Sequence, residues 1–458
     1  MGAIITLSIL ALVVLYLGLF KMKSMLLPVS ILGFLVAIGF LWNDWTSTSG
    51  PLYNGMVHFD HYAIAFSILC IAVTLCIFVI SKGYFDEEGQ IAEYYSLLIF
   101  SLTGAVLVNS YHNFSMLFLG IEIMSVALYI LVGIRKRDKA SNEAALKYFL
   151  MGAFSTGFLL FGIALLYGAT GSFDLSEIKD YVVNNPQAIS PLFYGGILLL
   201  IVGLTFKVGA VPFHFWTPDV YDGAPILITS YMSTVVKVAS FAGLLRLFNY
   251  SLLPLQDFWT PVFLVIAVLT LFVGNISALM QSSFKRMLAY SSVSHAGYML
   301  FAIVAVGSTS ANSIFAYGLA YSLATIVAFT GLILVKKTTG SEHFEAFNGL
   351  GKRNPLLAFA ITVAMLSLAG IPLTAGFIGK FMMFSSVMEN YHIVLLVLAV
   401  VNAAIAVYYY LKVVVAMYFR DSDESCVNVQ WNYSLVLFLA VALTILIGVY
   451  PDCLLKLI

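Results

Sequence analysis

The chain has 458 residues, 61% of them hydrophobic and only 10% charged, with 22 basic and 22 acidic side chains that cancel to a net charge of +0. A soluble domain carries roughly 25% charged residues, so this composition excludes an ordinary water-soluble fold, and the balanced charge offers no basic footprint for nucleic acid. No G-x-G-x-x-G or Walker motif predicts a nucleotide site. Cys70, Cys76, Cys426 and Cys453 lack ligand spacing and are read as apolar fillers rather than cluster or zinc ligands.

A membrane-spanning helix needs about 20 apolar residues. In chain order, fourteen spans are predicted at about 3–20, 25–42, 61–81, 91–109, 113–134, 144–168, 190–212, 225–248, 259–280, 286–306, 312–335, 354–388, 392–419 and 431–450. The first follows Met1 with no basic flank or cleavage site and is expected to be a membrane helix, not a removable leader. The seventh contains Pro212 and Pro218, and the twelfth contains Gly370, Pro372 and Gly376. Proline removes a donor and clashes with the preceding turn, so both are expected to be broken helices whose freed carbonyls find other partners. The fold class is thus an all-α polytopic membrane protein.

Fourteen Lys and Arg side chains fall in alternate loops beginning between the first two spans, among them Lys21, Arg135, Lys285, Arg286, Lys352 and Arg420. The opposite loops and ends hold three, Lys179, Arg246 and Lys456. The positive-inside rule places the first set in the cytoplasm and both termini on the other side.

Charges near the middle of a span cost about 2.5–3.5 kcal/mol each on insertion scales and are functional candidates by default. Glu122 is the one acid far from any loop, and Lys207, Lys237 and Lys380 lie as deep. Glu122 and Lys207 admit two readings. One is a static ion pair, which gains little over an apolar replacement. The other is a switch, in which the distance of the carboxylate decides whether the desolvated lysine holds its proton. Lys237 and Lys380 read as proton relays. Lys412 is close enough to its helix end to snorkel, and its relay and surface readings stay open; Lys147 is similar. His214 and His295 are the histidines well inside spans, where they are either satisfied core residues or carriers that titrate near neutrality. Asp219 and Asp222 are expected to shape a turn rather than bind metal.

These residues are spaced as a repeat. Glu122 and Lys207 are 85 residues apart, as are His295 and Lys380; 30 residues separate Lys207 from Lys237, and 32 separate Lys380 from Lys412. Each set covers five spans, an odd number, so the second unit enters from the opposite side as an inverted repeat. The expected organisation is an N-terminal three-helix segment (1–90), two five-helix repeats (91–250 and 251–420), each with a broken helix, and a C-terminal helix (421–458).

The run Gly203-Leu204-Thr205-Phe206-Lys207-Val208-Gly209-Ala210-Val211-Pro212-Phe213-His214-Phe215-Trp216-Thr217-Pro218-Asp219 resembles the signature of the antiporter-like membrane subunits of respiratory complex I, the proton-pumping NADH:quinone oxidoreductase. The segment around Glu122, Tyr290 to His295, Leu368 to Pro372 and Gly376 to Lys380 agree with it. Among the three large homologous subunits, lysine at position 380 and the run Tyr408-Tyr409-Tyr410-Leu411-Lys412 are similar to the bacterial-type subunit N branch, and the absence of a long lateral helix after the fourteenth span is expected of it. The resemblance implies no cofactor in this chain, with FMN, iron–sulfur clusters and quinone held by partner subunits. It implies a second antiporter-like subunit and a small membrane subunit as neighbours, in a bacterial inner membrane. It also implies that protons enter near Lys237, pass groups including His295 and leave by Lys380, with Lys207 gated by Glu122. A multi-subunit cation/proton antiporter and a passive membrane scaffold are the competing expectations.

Overall fold

The computed structural model describes residues 1–46, 50–85, 91–185, 188–305, 307, 309–388, 393–422 and 425–452. Cys453 and Lys456 lie outside the described residues. Among those residues the regular structure is helical, with isolated bridges such as Leu52 with Val57 in place of strands.

Among the described residues, thirteen helices are long and apolar enough to cross a membrane. The predicted twelfth span is absent from that set because it is two short helices, Pro355–Ala369 and Ala375–Met388. With this broken pair the predicted fourteen are accounted for. The first helix of the pair ends at Gly370 in the left-handed conformation (φ 84°), whose N–H donates to the Leu366 and Ser367 carbonyls. Pro372 then bars continuation. The seventh span breaks three residues before Pro212: Pro191–Val208 stops at left-handed Gly209 (φ 73°), and Trp216–Gly223 follows as a separate short helix. Boundaries elsewhere follow local chemistry. Asp60, Asn113, Asp138, Asp174 and Ser190 each accept a backbone N–H at the start of a helix, satisfying donors that the helix itself leaves free.

By packing, the described chain forms two compact units. One comprises residues 1–209 and 235–263, the other residues 210–234 and 264–458. In the first unit, Ile91–Ser110 and Phe114–Val132 approach closely enough that a Cβ on Gly104 would lie 2.6 Å from the Met124 nitrogen. This crossing seats the Glu122 helix with no space for a larger residue. The same unit holds a charge pair whose arginine lies at the end of a predicted span. Arg246 is buried, donates to Asp60 at 2.6 Å and lies over the Tyr62 ring at 5.2 Å. Asp60 keeps partial access to solvent, so loss of the arginine removes a charge-assisted hydrogen bond and a packed side chain, about 1–2 kcal/mol. Arg246→Ala is therefore expected to lower the thermal unfolding midpoint of the detergent-solubilised protein measured by intrinsic fluorescence.

In the second unit, Ser310–Thr339 is buried along almost its whole length, and Pro355–Ala369, Ala375–Met388 and Trp431–Val449 pack against it. Its buried faces carry many hydroxyls, which is where the second set of candidate residues lies.

Candidate functional site

In the first unit, Lys207 occupies the last turn of Pro191–Val208, at 6% exposure. Its ammonium donates to the Ser125 hydroxyl at 2.6 Å and lies 5.8 Å from the centre of the Tyr148 ring. Ser125 in turn donates to the Ile121 carbonyl of its own helix. Glu122, one turn before Ser125 on that helix, is half-buried, and its Oε1 is buried with no hydrogen-bond partner among the described residues. Among the described residues no ion pair joins Glu122 to Lys207 within 4.0 Å, and the ammonium is on the Ser125 hydroxyl instead. The static ion pair is thus not what the structure holds. A serine stands where that reading put the carboxylate.

Lys237 opens the helix Lys237–Arg246 and is 2% exposed. A π-helical turn, Met232–Val236, immediately precedes it, a feature rare in helices and common at functional sites. The predicted helix at 225–248 carried no signal of this turn. Lys147, read as ambiguous, pairs with Glu143 at 2.8 Å on an exposed face.

The second unit collects His295 and Lys380. His295 is 3% exposed and has a phenol at each ring nitrogen: Tyr317 at 2.5 Å from Nδ1 and Tyr410 at 3.0 Å from Nε2. The Tyr410 hydroxyl also meets Ser291, one turn before His295. A neutral imidazole has one donor and one acceptor nitrogen, so a hydroxyl on each side gives it a route for accepting a proton on one face and releasing one on the other. Lys380 is 4% exposed, donates to the Leu368 and Ala369 carbonyls at 3.0 and 2.8 Å, and lies 4.9 Å from the centre of the Tyr298 ring. Those carbonyls belong to the last turn of the broken helix, where a helix leaves acceptors unsatisfied and a cation is favoured. Lys285, placed in a loop by the sequence reading, is buried and does the same for the end of Trp216–Gly223, donating to the Asp222 and Ala224 carbonyls at 2.5 and 2.7 Å. Asp219 and Asp222 pair with Arg286 at 3.2 and 3.4 Å.

Two candidates are not drawn into these sets. Lys412 is exposed, 4.5 Å from the centre of the Phe344 ring and 3.5 Å from the Gln281 carbonyl, so its surface reading describes its position. His214 is buried in the turn before Trp216–Gly223, against Phe215, and its Nδ1 has no hydrogen-bond partner among the described residues. Ser125, Tyr317 and Tyr410 were not among the sequence candidates. The one available signal was position: Ser125 lies three residues from Glu122, on the same helical face.

The transmembrane family model described as NADH:quinone oxidoreductase/Mrp antiporter matches residues 112–406, well over half of the chain. NADH-quinone oxidoreductase subunit N of Flavobacterium psychrophilum is 39% identical over 460 residues, covering 100% of both chains. The chain belongs to the NADH-quinone oxidoreductase subunit N family. Among solved structures, a chain of respiratory complex I from Thermus thermophilus with bound aureothin superimposes with a TM-score of 0.85 at 33% identity, covering 99% of this chain and 98% of that one. A chain of the Mrp complex from Dietzia sp. DQ12-45-1b shares the fold, with a TM-score of 0.84, 17% identity and coverage of 99% and 94%. The chain is therefore a multi-pass membrane protein with the antiporter-like fold of complex I, and the family match favours subunit N over a stand-alone antiporter.

Proposed function

We propose that this chain moves protons as a non-redox subunit in the membrane arm of an NADH:quinone oxidoreductase, with FMN, iron–sulfur clusters and quinone in partner subunits. The observation that carries this reading is the nature of the partners of two buried lysines. Lys207 and Lys380 are held by neutral oxygens, a hydroxyl and two carbonyls. A lysine charged at all times in an apolar interior calls for a carboxylate. One that alternates between ammonium and amine is better served by neutral acceptors, which tolerate both forms. His295, with a phenol at each nitrogen, adds a group that can pass a proton without net displacement of its ring.

On this reading Glu122, Lys207 and Lys237 form the relay of the first five-helix repeat, and His295 and Lys380 that of the inverted second. The distribution of basic loops favours a bacterial inner membrane with both termini on the periplasmic side. The expected neighbours are a second antiporter-like subunit and the small membrane subunit beside it. The test is purification of the chain in mild detergent followed by reconstitution into vesicles. Peripheral iron–sulfur subunits should copurify, and NADH should drive proton uptake that a protonophore collapses. Sodium transport by a preparation lacking any NADH-oxidising partner would replace this reading with the cation/proton antiporter.

A further inference from the structure

We infer that Ser125 is a positioning residue that competes with Glu122 for the Lys207 ammonium, giving the lysine two alternative docking points one turn apart on the helix Phe114–Val132. This rests on the proposed proton-moving function and assigns to Ser125 a role within it. Ser125 and Glu122 are three residues apart, so both point from one helical face. The structure captures the lysine on the serine, at 2.6 Å, with both groups buried. The Glu122 Oε1 is meanwhile buried and has no hydrogen-bond partner among the described residues. A desolvated carboxylate oxygen left without a donor is costly, and the nearby buried ammonium that acts on it is the group able to relieve that cost.

The hydroxyl also has its own proton engaged, donated to the Ile121 carbonyl. Its lone pairs therefore face Lys207 as acceptors, and it offers the ammonium a neutral seat while the carboxylate stays vacant. With the lysine on Ser125 the carboxylate attraction is weakened and the proton is easier to release. With the lysine on Glu122 the ammonium is held. Without Ser125 the lysine loses this neutral seat, and with Glu122 holding it the ammonium stays charged.

The test uses the intact complex in proteoliposomes, reading NADH-driven proton uptake per NADH oxidised. Ser125→Ala should lower proton uptake about tenfold, the equivalent of one hydrogen bond to a charged group, while Ser125→Thr, which keeps the hydroxyl, restores most of it. In a Glu122→Gln background the competition is already lost, so Ser125→Ala should add little further loss. A packing role for Ser125 would instead give the same loss in both backgrounds and no advantage of threonine over alanine, and that result overturns the inference. So does wild-type uptake by an assembled Ser125→Ala complex. If Lys207→Ala also pumps normally, the proton-moving function itself fails; if Lys207→Ala is inactive and Ser125→Ala is not, the serine assignment alone fails.

Discussion

Lys380→Arg should assemble into a stable complex and yet lose about a hundredfold in proton transport, the scale of removing a general acid–base group. The guanidinium can still cap the Leu368 and Ala369 carbonyls that the lysine holds at 3.0 and 2.8 Å. It stays protonated at any accessible pH and so cannot pass a proton onward. Lys380→Ala should lose transport by a similar factor and in addition strand two buried carbonyls at the end of Pro355–Ala369. The arginine variant separates the two duties of this side chain, cap and carrier. Wild-type transport by Lys380→Arg in proteoliposomes would leave the lysine as a cap only.

Lys207→Ala is expected to lower NADH-driven proton uptake and coupled NADH oxidation together, each by about tenfold or more. Removing the ammonium empties the seat on Ser125 and leaves the Glu122 carboxylate, with its orphaned Oε1, without the nearby cation that acts on it. Because the two measurements are coupled through the same enzyme, a loss of both with intact subunit composition on native gels locates the defect in proton transfer. A fully assembled Lys207→Ala complex that pumps at the normal rate would overturn the proposed proton-moving function. Replacing Glu122 and Lys207 together by apolar residues gives the complementary result: transport that survives would make the pair a packing device.

Backbone breaks were the most legible features, because glycine and proline act locally. The turn at Gly370 to Pro372 follows from those residues alone, and only the displacement of the first break to Gly209 needed the structure. The depth of Lys207, Lys237 and Lys380 was legible because a charge inside a long apolar run has no loop to escape to. Arg246 and Lys285 show where that reasoning stops. Both sit at the ends of spans, and counting basic residues by loop tells which side they are on without telling whether they are buried. The hydroxyls were illegible for a different reason. Serine and tyrosine are common in membrane helices, and nothing in the sequence distinguishes Tyr410, on the His295 ring, from Tyr408, which is exposed. Tyr317 and Tyr410 come from helices distant in the chain, so only packing brings them to one imidazole. For Glu122 and Lys207 the sequence leaves a static pair and a switch open, and no charge pattern reveals Ser125, the neutral acceptor of the Lys207 ammonium.

The π-helical turn at Met232–Val236 changes how the surroundings of Lys237 should be drawn. A π turn holds one residue more than an α turn, and one residue of an α-helix corresponds to about 100° of rotation. A helical wheel drawn without interruption from Ile226 therefore assigns Lys237 to the wrong side by roughly a quarter-turn or more. Its same-face companions at α-helical spacing are the residues three, four and seven places after it, Ser240, Phe241 and Leu244. Paired substitutions meant to reshape the environment of Lys237 belong on that set.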